Sequence, residues 1–343
     1  MWTSKLTERL PWHQQSWEAL CALEQRGQLP HAYLFQGPEG LGKLNFSLRL
    51  SQYLLCRASQ DKPCGDCTTC RLFLAGTHPD LKLLQPEDSK SIRIEQIRDT
   101  IDFVGKRSQQ GGHKVVIVEP AEAMNKNAAN ALLKVLEEPA ADTLLILISH
   151  QAAQLLPTLR SRCRSLKFTP PETSLATVWL DSKNLDISSS RLLKLADGAP
   201  LRALDLAATP VLRNKSILYE NLAQLLDGAI NIPEAAQACL DFDLMENLNN
   251  MMQCSADMLR LAQSADEGTL HDPELLDLSR KLSGKAMVRD LHDLYRELLA
   301  ARRRLLSKAN PNPLMMLESL FFSWSELASQ GKTPAYQHGC PVR

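Results

Sequence analysis

The chain has 343 residues, 44% apolar and 23% charged, which is enough for two or three domains with a sizeable buried core. Lysine plus arginine and aspartate plus glutamate balance at 39 each, which excludes a global field holding the whole chain to nucleic acid or an anionic membrane. Apolar runs such as Leu144 to Ile148 fall far short of the ~20 residues of a membrane span, and Met1 to Trp12 carries Lys5, Glu8 and Arg9 where a signal peptide would be apolar, so a cytoplasmic protein with reduced thiols is expected.

Trp17, Leu20, Cys21 and Leu23 recur at three- and four-residue spacing and predict a helix closed near Gly27. Ala32-Tyr33-Leu34-Phe35 predicts the first strand. It runs into Gly37-Pro38-Glu39-Gly40-Leu41-Gly42-Lys43-Leu44, and a helical pattern of Phe46, Leu48, Leu50, Tyr53 and Leu54 follows. The stretch fits the phosphate-binding loop G-x-x-x-x-G-K-[ST] at every position but the last, in the required strand, loop, helix context. In such a loop backbone N–H groups curl around phosphate, the lysine meets the β and γ phosphates, and the hydroxyl holds Mg²⁺. Leu44 has no oxygen to offer a hard cation. Gly37, Gly42 and Lys43 are therefore candidate nucleotide contacts in a degenerate loop, and productive ATP binding is not expected. A glycine turn with no ligand is the bland alternative; Lys43 itself is left open between a solvated remnant and a weak phosphate contact.

Of nine cysteines, Cys56, Cys64, Cys67 and Cys70 fall together, in the spacing Cys56-x7-Cys64-x2-Cys67-x2-Cys70. Four thiolates suit a closed tetrahedral Zn²⁺ site, whose role is structural because no position stays open for water. It would fold a small insert, residues 56–70, that has too few apolar residues to hold itself. An iron–sulfur cluster shares the ligand type, and unmetallated surface thiols are the remaining alternative.

Beyond Gly76-Thr77-His78-Pro79-Asp80, Leu81 to Leu84 predicts a strand, with His78 a turn residue. Ile92, Ile94, Ile97, Ile101 and Val104 predict an amphipathic helix with Asp99 and Asp102 outward. Lys114 opens the strand Val115 to Val118, apolar throughout as a strand buried on both faces should be. It ends in Glu119-Pro120-Ala121-Glu122. In a phosphate-loop ATPase such a strand ends in Asp for Mg²⁺, followed by a carboxylate that positions the attacking water. Glu119 could approximate the first; Pro120 cannot supply the second. A helix from Asn127 to Glu138 stops before Pro139. Thr143 to Ile148 predicts a strand closing in Ser149-His150, a helical segment runs to Ser161-Arg162-Cys163, and Leu166 to Phe168 predicts a short strand. Helices follow at Thr173 to Asp181, Ser188 to Leu195, and from Leu201 after a turn at Gly198. Helical period continues from Asn214 through Leu225, then in Leu244 to Ala265, Leu275 to Leu282 and Met287 to Leu306. Met245, Met251, Met252 and Met258 are expected in the bundle core, and Arg302-Arg303-Arg304 on a charged face.

Ala131-Leu132-Leu133-Lys134-Val135-Leu136-Glu137-Glu138-Pro139 and Ser161-Arg162-Cys163, behind a phosphate loop and a four-cysteine insert, resemble the AAA+ subunits of the bacterial replicative clamp loader. By motif the resemblance covers roughly the first 205 residues. Leu44, Pro120 and Glu119 in place of aspartate align the chain with a member that does not hydrolyse ATP, not with the ATP-hydrolysing gamma/tau subunit. The resemblance implies an α/β AAA+ parallel-sheet domain with a zinc-binding insert (residues 1–168), a small helical lid domain (169–209), an all-α collar that oligomerises (210–330) and a tail (331–343). It implies that Arg162 reaches the γ-phosphate held by a neighbouring subunit, an arginine finger in trans. Ser149 matches the polar sensor of that phosphate and Arg202 the lid arginine, which without a competent site would pair only locally. The implied partners are the gamma/tau ATPase and delta subunits, and through the assembly the sliding clamp and primed DNA. The chain is then no enzyme by itself. Two other readings compete: an active AAA+ ATPase with a non-standard Mg²⁺ site, and a zinc-dependent DNA-binding module, against which the neutral net charge weighs.

Overall fold

The computed structural model describes residues 9–58, 63–87, 91–185, 187–264, 272, 278, 288–307 and 311–329. The expected helix from Leu275 to Leu282 lies outside them except for Leu278, as do Ala265, Met287 and the expected tail 331–343. Two compact units emerge, one of Met1–Asn184 with Ala196–Ala203, the other of Leu185–Leu195 with Leu204–Arg343.

The first unit is built on five strands, β1 (Ala32–Gln36), β2 (Leu81–Leu84), β3 (Lys114–Val118), β4 (Thr143–Ser149) and β5 (Arg164–Lys167). Their order is β2-β3-β4-β1-β5 and every pairing is parallel. Parallel neighbours need crossover connections, and helices supply them on both faces of the sheet. Two-residue alternation then splits β1 to β4 between two cores, while β5 contributes only Leu166, to the first. Tyr33, Phe35, Val115, Ile117, Leu144, Ile146 and Ile148 meet α1 (Gln14–Gln25), α2 (Lys43–Leu55) and α3 (Thr68–Leu74) through Leu20, Phe46, Leu50 and Phe73. Leu34, Val116, Val118, Leu145 and Leu147 meet α4 (Ile94–Gly105), α5 (Lys126–Glu137) and α6 (Pro157–Arg160) through Ile97, Leu132, Leu136 and Leu159. Ile92 precedes α4 instead of belonging to it; it is held by an isolated bridge to Met124 and is wholly buried. The last strand starts earlier than its apolar residues suggest, and Phe168 lies just past it.

Because the strands are parallel, their C-terminal ends share one edge. Gln36 pairs with Ser149 there, so the glycine loop after β1, Glu119 after β3 and Ser149 at the end of β4 are neighbours. This is the rim at which open α/β sheets place their sites.

After β5 the chain continues through α7 (Thr173–Asp181), α8 (Ser189–Leu195) and α9 (Pro200–Ala208), then α10 (Val211–Asp227), α11 (Ile232–Ala238), α12 (Leu244–Ser264), α13 (Val288–Leu306) and α14 (Pro313–Ser329). The second unit has its own core, with Leu218, Leu222, Met251, Met258, Leu294, Leu298, Phe321 and Trp324 at its centre. Met251 and Met258 fill the bundle as their spacing implies. Arg303 and Arg304 are exposed. Helices α11 and α14 add to the expected set. Among the described residues no helix is long and apolar enough to cross a membrane.

Candidate functional site

The glycine loop adopts the tight turn that its sequence encodes, and the chain itself fills the space around it. Gly40 and Gly42 have φ of 79° and 81°, values that a side chain strains against. A Cβ on Gly40 would also lie 2.5 Å from the Arg202 Cβ, and one on Gly42 would lie 2.3 Å from Leu10 Cδ1. The loop is thus covered by the segment before α1 and by the start of α9. Its carbonyls are used up in the same way. Trp12 Nε1 donates to Leu41 O at 3.1 Å, His13 Nε2 donates to the same oxygen at 2.9 Å, and Leu201 N donates to Gly40 O at 3.0 Å.

Lys43 closes the circuit. Its ammonium donates to Gly37 O at 2.6 Å and Pro38 O at 2.5 Å, within its own loop. Only 3% of the residue is exposed, so it is neither a solvated remnant nor extended toward solvent. Burial lowers its pKa to about 8, against the pull of Glu119, Glu122 and Glu39. One ammonium among three carboxylates gives this rim an acidic balance, the reverse of what a triphosphate needs. Leu44, at the Mg²⁺ position, packs against the core.

The carboxylates at the strand ends are likewise held internally. Glu119 accepts from Gln85 Nε2 at 3.0 Å, and burial raises its pKa. Glu122 Oε1 accepts the backbone N–H groups of His150 at 2.8 Å and Gln151 at 3.1 Å, tying the end of β3 to the end of β4. Ser149 is wholly buried, and its carbonyl accepts Gly37 N at 3.3 Å. Arg202 pairs with Asp197 at 3.5 Å.

Arg162 is placed differently. It sits in the turn between α6 and β5, beside Cys163, whose burial in the second sheet core pushes its thiol up to about 12. Cys163 inward obliges Arg162 outward, and 37% of the Arg162 side chain is exposed. Its Nη2 lies 2.7 Å from Glu137 Oε1, and its Nη1 donates to Thr158 O at 3.1 Å. Glu137 is the last residue of α5, which the Asn125 side chain caps at its start and His31 bonds near its end, through Leu136 O at 3.2 Å. Sequence spacing could not reveal Glu137, Trp12 or His13, because each acts across a long gap in the chain.

The four clustered cysteines converge. All four sulfurs lie within 4.8 Å of one another. Cys56 to Cys64 is 3.6 Å, Cys64 to Cys70 is 3.9 Å and Cys56 to Cys67 is 4.0 Å. A zinc ion bonded to four sulfurs at 2.3 Å sets tetrahedral edges of about 3.8 Å, so the set fits one tetrahedral ion. Thiolates on the separate irons of a cluster would stand farther apart. Backbone N–H groups of Cys64, Cys67 and Cys70 point at Cys56, Cys64 and Cys67 sulfurs at 3.5, 3.5 and 3.4 Å, an arrangement that favours thiolate. Burial pushes Cys67 up, but the Thr69 hydroxyl and the Cys70 N–H outweigh it and bring Cys67 to about 5. His78 stays outside this group: it sits in its turn, its Nδ1 accepting from Asp80 N at 3.1 Å.

Known proteins share this chain's pattern over nearly its full length. A family profile described as DNA polymerase III, delta subunit, matches residues 12–172, and one described as DNA polymerase III, delta subunit, C terminal, matches residues 212–326. The DNA polymerase III subunit delta' of Pseudomonas aeruginosa is 38% identical over 329 residues, covering 94% of this chain and 98% of that protein. That of Yersinia pestis is 34% identical over 330 residues, covering 94% and 96%. That of Escherichia coli is 41% identical over 201 residues, covering 57% and 60%.

Proposed function

Because the chain belongs to the family of DNA polymerase III delta' subunits, we propose that it is the non-hydrolysing, stationary member of the clamp loader, with its own nucleotide site retired and Arg162 offered to a neighbour's. The observation that carries this reading is the filled glycine loop: Lys43, which would meet the β and γ phosphates, spends its charge on Gly37 O and Pro38 O. A nucleotide would have to break those bonds and enter a rim where Glu39, Glu119 and Glu122 surround the Lys43 ammonium.

Arg162 is what remains for phosphate chemistry. A guanidinium is always charged and planar, and supplied in trans it stabilises charge on the transferring phosphoryl group while making hydrolysis depend on assembly. In this reading a gamma/tau ATPase subunit adjoins the Arg162 face, the delta subunit adjoins the other, the helices from 210 to 330 form the collar, and the assembly loads the sliding clamp onto primed DNA. The cysteine set would hold a structural Zn²⁺.

Two measurements test it together. Titrating the isolated chain with Mg²⁺-ATP should show no binding at micromolar concentrations; micromolar affinity with turnover would make it an active ATPase and overturn the reading. In the reconstituted loader, Arg162→Ala should leave assembly intact and lower ATPase activity. Unchanged activity would remove Arg162 from the mechanism.

A further inference from the structure

We infer that Glu137 is a positioning residue for Arg162, holding one side of the guanidinium so that the other is aimed at a phosphate on a neighbouring subunit. This inference rests on the role proposed above for Arg162.

The geometry sets out the division of labour. A guanidinium presents several N–H donors in a rigid plane and accepts nothing. Among the described residues two side-chain bonds occupy it, Nη2 to Glu137 Oε1 at 2.7 Å and Nη1 to Thr158 O at 3.1 Å. The remaining N–H groups stay available for an anion, and with 37% of the side chain exposed a ligand can reach them. A free arginine would sample many rotamers and lose that freedom on meeting phosphate. Two fixed acceptors reduce this loss before the ligand arrives, which is what preorganisation of a catalytic charge requires.

Both acceptors stand on firm ground. Thr158 lies in α6, whose Leu159 is buried in the second sheet core. Glu137 ends α5, where Leu132, Val135 and Leu136 are buried in the same core. The backbone that carries each acceptor is therefore anchored, while half of the Glu137 side chain is exposed. The next residue provides an internal control: Glu138 is an exposed carboxylate one position away that makes no bond to the guanidinium.

An exposed ion pair of this kind is worth a modest amount, so Glu137→Ala should lower kcat for ATP hydrolysis by the reconstituted loader by about two- to fivefold. KM should change little. Glu137→Gln, which keeps an oxygen acceptor, should recover part of the loss, and Glu138→Ala should have no effect. Because Glu137 acts only through Arg162, adding Glu137→Ala to Arg162→Ala should cause no further loss. The thermal midpoint of each isolated variant shows whether the chain itself has been damaged. If Arg162→Ala lowers activity and Glu137→Ala does not, the positioning role is wrong and the arginine finger stands. If Glu137→Ala raises kcat, the carboxylate restrains the finger and the inference is overturned. Additive losses in the double variant would equally overturn it. If Arg162→Ala changes nothing, the finger itself is wrong and the inference falls with it.

Discussion

His13 joins the amino-terminal segment to the glycine loop, and its chemistry is fixed by that junction. A carbonyl can only accept, so the 2.9 Å contact with Leu41 O requires the proton on Nε2. The ring is buried and stacks edge-on with Phe46 and Phe168, each at 5.2 Å. Burial lowers its pKa from 6.5 to about 4, the Leu41 bond opposes this, and Arg49 adds to it. The sign follows from linkage. Between pH 6.5 and about 4 the unfolded chain carries the His13 proton and the folded chain does not, so stability falls as pH falls through that window. The full effect is about 3 kcal/mol. Since other histidines titrate as well, the measurement is the unfolding free energy of the native chain minus that of His13→Asn, taken from pH 7 to 4. That difference should shrink toward acid; a constant difference would mean that His13 is not held neutral. At this scale the sequence conveyed residue types but not their fates. The motif located Lys43, and nothing in the spacing could say that its ammonium would turn onto Gly37 O and Pro38 O, because the residues that cover the loop, Leu10 and Arg202, come from two distant stretches.

At the scale of elements, the insert between α2 and β2 is the part least able to fold by apolar burial. Its helix α3 is seven residues long, and Cys70 and Phe73 are its buried anchors. Isolated helices of that length do not persist in water, so a metal held by the four sulfurs would carry much of the structure of the insert. Purified chain should contain close to one zinc per molecule. Replacing Cys64 and Cys67 by serine should abolish the zinc and lower the protection of residues 63–74 against hydrogen exchange, while β3 and β4 keep theirs. A folded, protected insert without metal would rule out the structural role. The same scale shows where periodicity works and where it stops. The five strands and helices α1, α2, α4, α5 and α6 were legible from their apolar residues, whereas α3, inside the cysteine insert, was not expected. Helix α11 is short and carries Pro233 in its first turn, which reads as a break although proline is favoured at that position; the Asn231 and Glu234 capping box marks its start. Helix α14 does carry a period, Met316, Leu317, Leu320, Phe321, Trp324 and Leu327 recurring at helical spacing, so it was legible in the sequence although it was not among the expected helices.

For the whole molecule, the decisive feature is that among the described residues each compact unit has a buried core of its own. The sheet unit buries its apolar residues on the two faces of β1 to β5, and the helical unit buries a separate set around Trp324 and Phe321. Cooperativity in unfolding comes from shared burial, so disjoint cores imply two transitions. Trp324 is wholly buried, and its Nε1 donates to Leu222 O at 3.3 Å, pinning α14 to α10. Trp324→Ala removes that bond and opens a cavity, a loss of about 4 kcal/mol. The loss should fall on one unit alone. Calorimetry of the variant should show one transition shifted down and the other at its native temperature, and hydrogen exchange should show β3 and β4 as protected as before. A single transition that shifts as a whole, with protection lost equally in β3 and in α10, would show that the units fold as one. That result would also bear on function: a sheet unit stable on its own can keep Glu137 and Arg162 in register whatever the helical unit does, whereas one cooperative fold would let a change among the helices reach the Arg162 guanidinium directly.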